Sequence, residues 1–167
     1  MSAYAYVILC LVNSMAGNYE EAVAAASKAA EYDPDAFTPW HWLGNSHHWA
    51  GNLREALKPF NRALEISGRH NWTLTSLLVT HAEDNHIREA NVLYNELLTK
   101  AQLSFVSPAL LAIASAALDK NEEAMRYAWQ AYERHDPFQI ISSSSWPDSK
   151  KLRSLPEYRE IMKLLAF

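Results

Sequence analysis

Alanine returns four times in one register. Ala22, Ala56, Ala90 and Ala124 lie 34 residues apart, and self-similarity at such a period marks a chain built by repeating one supersecondary unit. A unit of that size cannot bury its apolar face alone, so neighbouring copies must stack. The same shift aligns Gly17, Gly51, Asn85 and Asp119, sets Tyr94 beneath Phe60, and sets Leu77 beneath Leu43. The recurrence predicts four units, at about 3–36, 37–70, 71–104 and 105–138. In each, two antiparallel helices are separated by a residue able to take the left-handed conformation that ends a helix.

The second unit is the most explicit. Between Pro39 and Ala63, Trp40, Leu43 and Gly44 fall at W-x2-L-G, and Ala56 and Phe60 at A-x3-F, with Gly51 between. This pattern resembles the tetratricopeptide repeat (TPR), with His47 in place of the usual Tyr and Gly68 in place of the closing Pro. The resemblance implies an all-α, right-handed α-solenoid of about four helix-turn-helix repeats. Packing explains the signature: Gly44 and Ala56 are small so that two helices approach closely, while Trp40 and Phe60 fill the wedge as core. Pro59 removes a donor inside the second helix, which predicts a kink toward solvent.

Composition agrees with that class. The chain has 167 residues and only four Gly, nearly half of it is apolar, and this favours helices in one ordinary domain. A net charge of −4 leaves no basic footprint for nucleic acid, and the short run at Lys150, Lys151 and Arg153 reads as a solvated face. Cys10 is the sole cysteine, so no internal disulfide forms; a reducing, cytoplasmic setting fits. The apolar run Ala3 to Val12 has no preceding Lys or Arg and is too short to span a bilayer. It is expected to be a buried helix of the first unit, with Tyr6, Leu9 and Cys10 at signature positions. Asn71-Trp72-Thr73 matches a glycosylation pattern by coincidence of composition.

After Asp136-Pro137 the register is lost, and Phe138 to Ser149 reads as a long loop. From Leu152 a last helical pattern begins, interrupted by Pro156, which is expected to open a helix through Leu165. Its apolar face, Leu155, Tyr158, Ile161, Met162 and Leu165, would cap the stack, so that 139–167 form a loop and capping helix. From Asn61 onward the chain is also similar to the tetratricopeptide regions that follow effector domains in bacterial signalling and regulatory proteins. Arg62 to Gly68, Glu96-Leu97-Leu98 with Phe105 to Pro108, and Ala131 to Arg134 carry that likeness. Leu152 to Tyr158 resembles a terminal Leu-Arg-Ser-acid-Pro-Arg-Phe element, with Leu155, Glu157 and Tyr158 as departures. The resemblance implies a regulatory context, and no effector domain is present to bring DNA binding or kinase activity.

No P-loop, dinucleotide turn or paired-cysteine metal site occurs, so no catalytic residue, cofactor or metal is expected. His41 and His48 lie about 10 Å apart along a helix, too far to share one zinc ion. His47 belongs to the packing face. The resemblance instead implies a concave groove lined by first helices. In the second unit the lining is Thr38, His41, Asn45, His48 and Trp49. The third contributes Trp72, Thr75, Val79, Ala82 and Glu83, and the first contributes Tyr4, Val7, Leu11, Ser14 and Met15. Aromatics, Asn and His without Lys or Arg suit a protein or peptide partner, either extended or helical. Basic clamps for a chaperone tail are missing, since only Asn45 matches. Trp49 and Trp72 either meet that partner or pack between units, and Trp42 lies one position off the stripe. The alternative function is self-association into a homo-oligomer through Tyr4, Tyr6, Leu9 and Leu11 of the first helix. Neither nucleic acid nor membrane is an expected partner.

Overall fold

The computed structural model describes residues 2–143 and 146–165, and no strand occurs among them. The helices are α1 (Ala3–Met15), α2 (Tyr19–Tyr32), α3 (Phe37–Trp49), α4 (Leu53–Ser67), α5 (Asn71–Glu83) and α6 (Ile87–Leu103). They are followed by α7 (Pro108–Ala117), α8 (Asn121–Glu133), α9 (Pro137–Ser143), a 3-10 turn (Pro147–Ser149), α10 (Lys150–Ser154) and α11 (Tyr158–Leu164). By Cα proximity the chain divides into two units, Met1–Thr80 and His81–Phe167.

The 34-residue period is visible in the backbone. Helices α1, α3, α5 and α7 end at Met15, Trp49, Glu83 and Ala117, and α2, α4, α6 and α8 begin at Tyr19, Leu53, Ile87 and Asn121. Gly17, Gly51, Asn85 and Asp119 all have positive φ, at 78°, 82°, 58° and 59°. Asn and Asp are the side chains that tolerate this region best. Each turn is closed by the same bond: the amides of Asn18, Asn52, His86 and Lys120 donate to the carbonyls of Asn13, His47, His81 and Ser115 at 2.8–3.0 Å. One turn later come Ala22, Ala56, Ala90 and Ala124, each with no exposed surface.

In the first unit α1 packs on α2, α2 on α3, and α3 on α4. Helix α2 turns Ala22, Ala25, Ala26, Ala29 and Ala30 inward, a stripe small enough for close approach. Gly44 sits against Phe60 as the spacing implies. A Cβ placed on it would lie 2.5 Å from the Phe60 ring, so only glycine fits that contact.

Two expectations need correction here. Trp40 is half-buried rather than core, and its indole N–H donates to the Pro34 carbonyl at 2.9 Å. Trp42 occupies the buried position instead, at 6% exposure. Pro59 is buried and α4 continues through it. Helix α1 is amphipathic rather than buried: Val7, Cys10 and Ser14 face inward, while Tyr4, Ile8, Leu9, Val12 and Met15 are exposed. Gly68, standing where Pro was expected, ends α4 in the left-handed region at φ 64°.

In the second unit, Pro108 sets the start of α7 three residues later than the period implies, because the residue before a proline is kept out of the helical region. The Tyr94 hydroxyl donates to the Glu123 carboxylate at 2.7 Å and accepts from Ser115 at 2.9 Å. Burial, and then the Glu123 charge, push the phenol above its ordinary value.

The stretch from Phe138 to Ser149, expected as a loop, is helical at α9 and again at Pro147–Ser149, while residues 144 and 145 lie outside the described residues. Asp136 explains the start of α9. Its Oδ1 accepts from the Phe138 amide at 3.0 Å, while Oδ2 accepts from Ser107 Oγ at 2.6 Å and the Ala109 amide at 3.2 Å. One buried carboxylate thus caps α7 and α9 together. Asp136→Ala is expected to cost about 1–3 kcal/mol by orphaning these donors, measured by urea unfolding; a change under about 0.5 kcal/mol would show that the caps are replaceable.

Tyr158 explains the rest of that stretch. Fully buried, its hydroxyl accepts from Gln139 Nε2 at 2.8 Å and lies 2.9 Å from Ser143 Oγ, which holds a serine-rich helix in place. Helix α11 begins at Tyr158, two residues later than the expected start at Pro156, and α10 precedes it, so the helical pattern is interrupted at Leu155-Pro156 as expected. Tyr158 and Ile161 of the expected apolar face are buried, and Leu155, Met162 and Leu165 are half-buried. Helix α10 packs on α7 and α11 on α8.

Candidate partner-binding face

Helix α3 carries almost no charge, and its polar groups are spent on its neighbours. His41 is 1% exposed, with Nδ1 3.0 Å from Thr73 Oγ1 on α5 and Nε2 2.9 Å from Asn45 Nδ2. With the Asn45 amide N–H donating to Nε2, the His41 proton sits on Nδ1 and donates to Thr73. Burial, reinforced by His70, lowers the His41 pKa to about 3, so the ring is neutral.

A second bond of the same kind lies seven residues on. Thr80 Oγ1 donates to the Ser76 carbonyl at 2.8 Å, so its contact with His48 Nδ1 at 2.7 Å has the imidazole as donor. Both histidines therefore tie α3 to α5. On the other side of α3, Ser46 Oγ donates to the Trp42 carbonyl at 2.8 Å, which leaves the Cys10 thiol as donor to Ser46 Oγ at 3.2 Å. Burial pushes that thiol up, away from the reactive thiolate.

The aromatic rings gather around this frame. His41 lies 4.7 Å from the Trp72 ring, and Trp42 lies 5.4 Å from Trp72 and 6.1 Å from Trp49. The two Trp42 contacts are edge-on, the arrangement ring quadrupoles favour.

Of the groove residues expected from the sequence, His41, Asn45, His48, Thr75 and Val79 are buried, whereas Thr38, Trp49 and Trp72 are half-buried. The structure therefore brings the stripe together but turns most of it to helix adhesion. Asn45 is fully buried, and its Oδ1 has no hydrogen-bond partner; turning the amide over would leave the NH2 group in that state instead.

Thr73 and Thr80 were not anticipated as members, and Trp42 was placed one position off the stripe. A signal for the threonines was present, since each follows its histidine by 32 residues, close to one period. His47 is half-buried, with its pKa lowered by burial against the pull of Glu55. Among the described residues no group of three or more His, Cys, Asp or Glu is placed to hold a metal ion, and no helix is long and apolar enough to cross a membrane. No protein-family model matches the chain, and no curated protein matches it.

Proposed function

We propose that the chain is a TPR-type, non-catalytic interaction scaffold whose α3–α5 face binds a peptide segment or partner helix. The reading rests on one observation: two half-buried indoles, Trp49 and Trp72, flank a buried third, Trp42. Behind them the His41–Thr73 and His48–Thr80 bonds hold the helices that carry them. Aromatic side chains positioned before binding lose little freedom on association, and such residues dominate interface energetics. The tetratricopeptide resemblance adds the four-repeat solenoid and a bacterial regulatory context to this reading, and the single cysteine fits a cytoplasmic setting. Peptides selected from a displayed library against the protein provide the test. Trp49→Ala and Trp72→Ala are each expected to weaken a selected peptide about 30-fold, the size of a hot-spot loss, in isothermal titration. Unchanged affinity in folded variants would remove this face from consideration.

A second reading, self-association, is favoured by α1. That helix contains no Lys, Arg, Asp or Glu and exposes Tyr4, Ile8, Leu9, Val12 and Met15. Sedimentation distinguishes it: association that rises with concentration and is abolished by Val12→Glu supports it, whereas a monomer at all concentrations counts against it.

A further inference from the structure

Helix α4 carries Arg54, Lys58 and Arg62 at successive i, i+4 positions, which places them along one face. Like charges at that spacing repel and weaken a helix, and Arg54 also lies in the first turn, where the helix dipole disfavours a cation. No other second helix of a unit repeats the arrangement; α2, for example, has Glu20, Ala24 and Lys28 at the matching positions. The stripe thus costs the isolated helix something.

Beside it opens a pocket of about 680 Å³. Half-buried Trp40 and Leu57 supply its apolar lining, and exposed Arg54 and Lys58, with Asn61, Arg62 and its ion-pair partner Glu65, form its rim. Because the Trp40 N–H is committed to Pro34, the indole offers a ligand only its carbon surface. Arg62 is shared between Asp35 at 3.6 Å and Glu65 at 3.4 Å, both well exposed, and such pairs exchange readily in water. Arg54 and Lys58 have no carboxylate partner among the described residues. The cationic rim stands on a chain of net charge −4, so an acidic segment is drawn here while much of the remaining surface repels it.

We propose that this pocket is a second docking site, taking an extended acidic segment of a partner protein in which two carboxylates straddle one apolar side chain. Spacing supports that occupant. Eight helical residues separate Arg54 from Arg62, a rise of about 12 Å, and residues four apart in an extended chain on one face are about 13 Å apart. The carboxylates then reach the two arginines, the apolar side chain enters between Trp40 and Leu57, and Lys58 adds a central charge. The site is formed by α4 with Trp40 of α3, away from Trp49 and Trp72 in the sequence, and does not depend on the α3–α5 reading.

The test is fluorescence anisotropy with a fluorescein-labelled peptide whose core is Glu-Ser-Leu-Ser-Glu, titrated with the whole chain. Saturable binding is expected at about 0.01 M salt and should weaken steeply at about 0.15 M, as the screening length falls from about 30 Å to about 8 Å. Replacing both glutamates by Gln, replacing Leu by Ser, or introducing Arg54→Glu with Lys58→Glu should each weaken binding at least tenfold. Both substituted cations are exposed and their reversal relieves the repulsion along α4, so the melting temperature should not fall. The Trp49→Ala, Trp72→Ala protein should bind this peptide normally, which separates the two sites. Absence of saturable binding at low salt, equal binding of the Gln peptide, indifference to the charge reversal, or loss in the Trp49→Ala, Trp72→Ala protein would each overturn the proposal.

Discussion

Phe60→Ala is expected to lower the unfolding free energy by about 3–5 kcal/mol. The ring has no exposed surface, and it lies directly over Gly44, where a Cβ would stand 2.5–2.8 Å from its atoms. Those distances make a second substitution informative. Gly44→Ala should cost about 1–3 kcal/mol by overpacking, because the obstructing atoms belong to a rigid ring and not to the end of a flexible chain. Phe60→Leu should cost less than Phe60→Ala and leave space above Gly44. A double-mutant cycle then predicts that Gly44→Ala is tolerated better in the Phe60→Leu protein than in the wild type, giving a favourable coupling of about 1 kcal/mol. Additive effects in urea unfolding would mean that the two residues do not share the contact.

The second large effect is a dependence on acid carried by His41. Above its ordinary pKa of 6.5 the imidazole is neutral in the folded and unfolded chain alike, and contributes no pH dependence. Below 6.5 the unfolded chain takes up a proton that the folded chain does not accept until about pH 3. Unfolding free energy therefore falls as the pH falls through this window, by about 1.4 kcal/mol per unit from this group, or about 3 kcal/mol by about pH 4.5. His47 and His81, also lowered mainly by burial, act in the same direction. The His41 share is isolated by comparing the wild type with His41→Gln, which keeps hydrogen-bonding capacity without a titrating ring. The wild-type curve should be steeper between about pH 6.5 and about pH 4.5, and parallel curves would contradict a fully buried neutral imidazole.

Local chemistry made the helical units readable in the sequence. Gly17, Gly51, Asn85 and Asp119 mark turns because those residue types tolerate the left-handed region, and that preference survives any tertiary setting. Ala22, Ala56, Ala90 and Ala124 mark contacts because only a small side chain permits close approach. Burial at the tryptophans was harder to read. Whether Trp40 or Trp42 goes inside depends on which neighbouring helix arrives beside α3, and the Trp72 ring, contributed by α5, selects Trp42. The serine-rich stretch after Phe138 misleads for a related reason. Serine favours loops when nothing else acts, but the Asp136 cap and the buried Tyr158 hydroxyl supply partners from elsewhere in the chain.

The candidate face was legible as a stripe and illegible as a surface. His41, Asn45 and His48 lie at helical spacing along one side of α3 and are buried there. Thr73 and Thr80 close over them from α5, which makes residues expected to meet a ligand into the bonds that hold helices together. Arg54, Lys58 and Arg62 were open to reading from spacing alone, yet a low overall charge hid them, since net charge says nothing about how charges cluster on one helix.

Backbone NMR assignment tests the recurring helix pair most directly. Chemical shifts and couplings should give positive φ at Gly17, Gly51, Asn85 and Asp119 alike, with helical values resuming at Tyr19, Leu53, Ile87 and Asn121. A helix running uninterrupted through any of these turns, extended values on either side, or negative φ at Asn85 or Asp119 would contradict a chain assembled from one unit repeated every 34 residues.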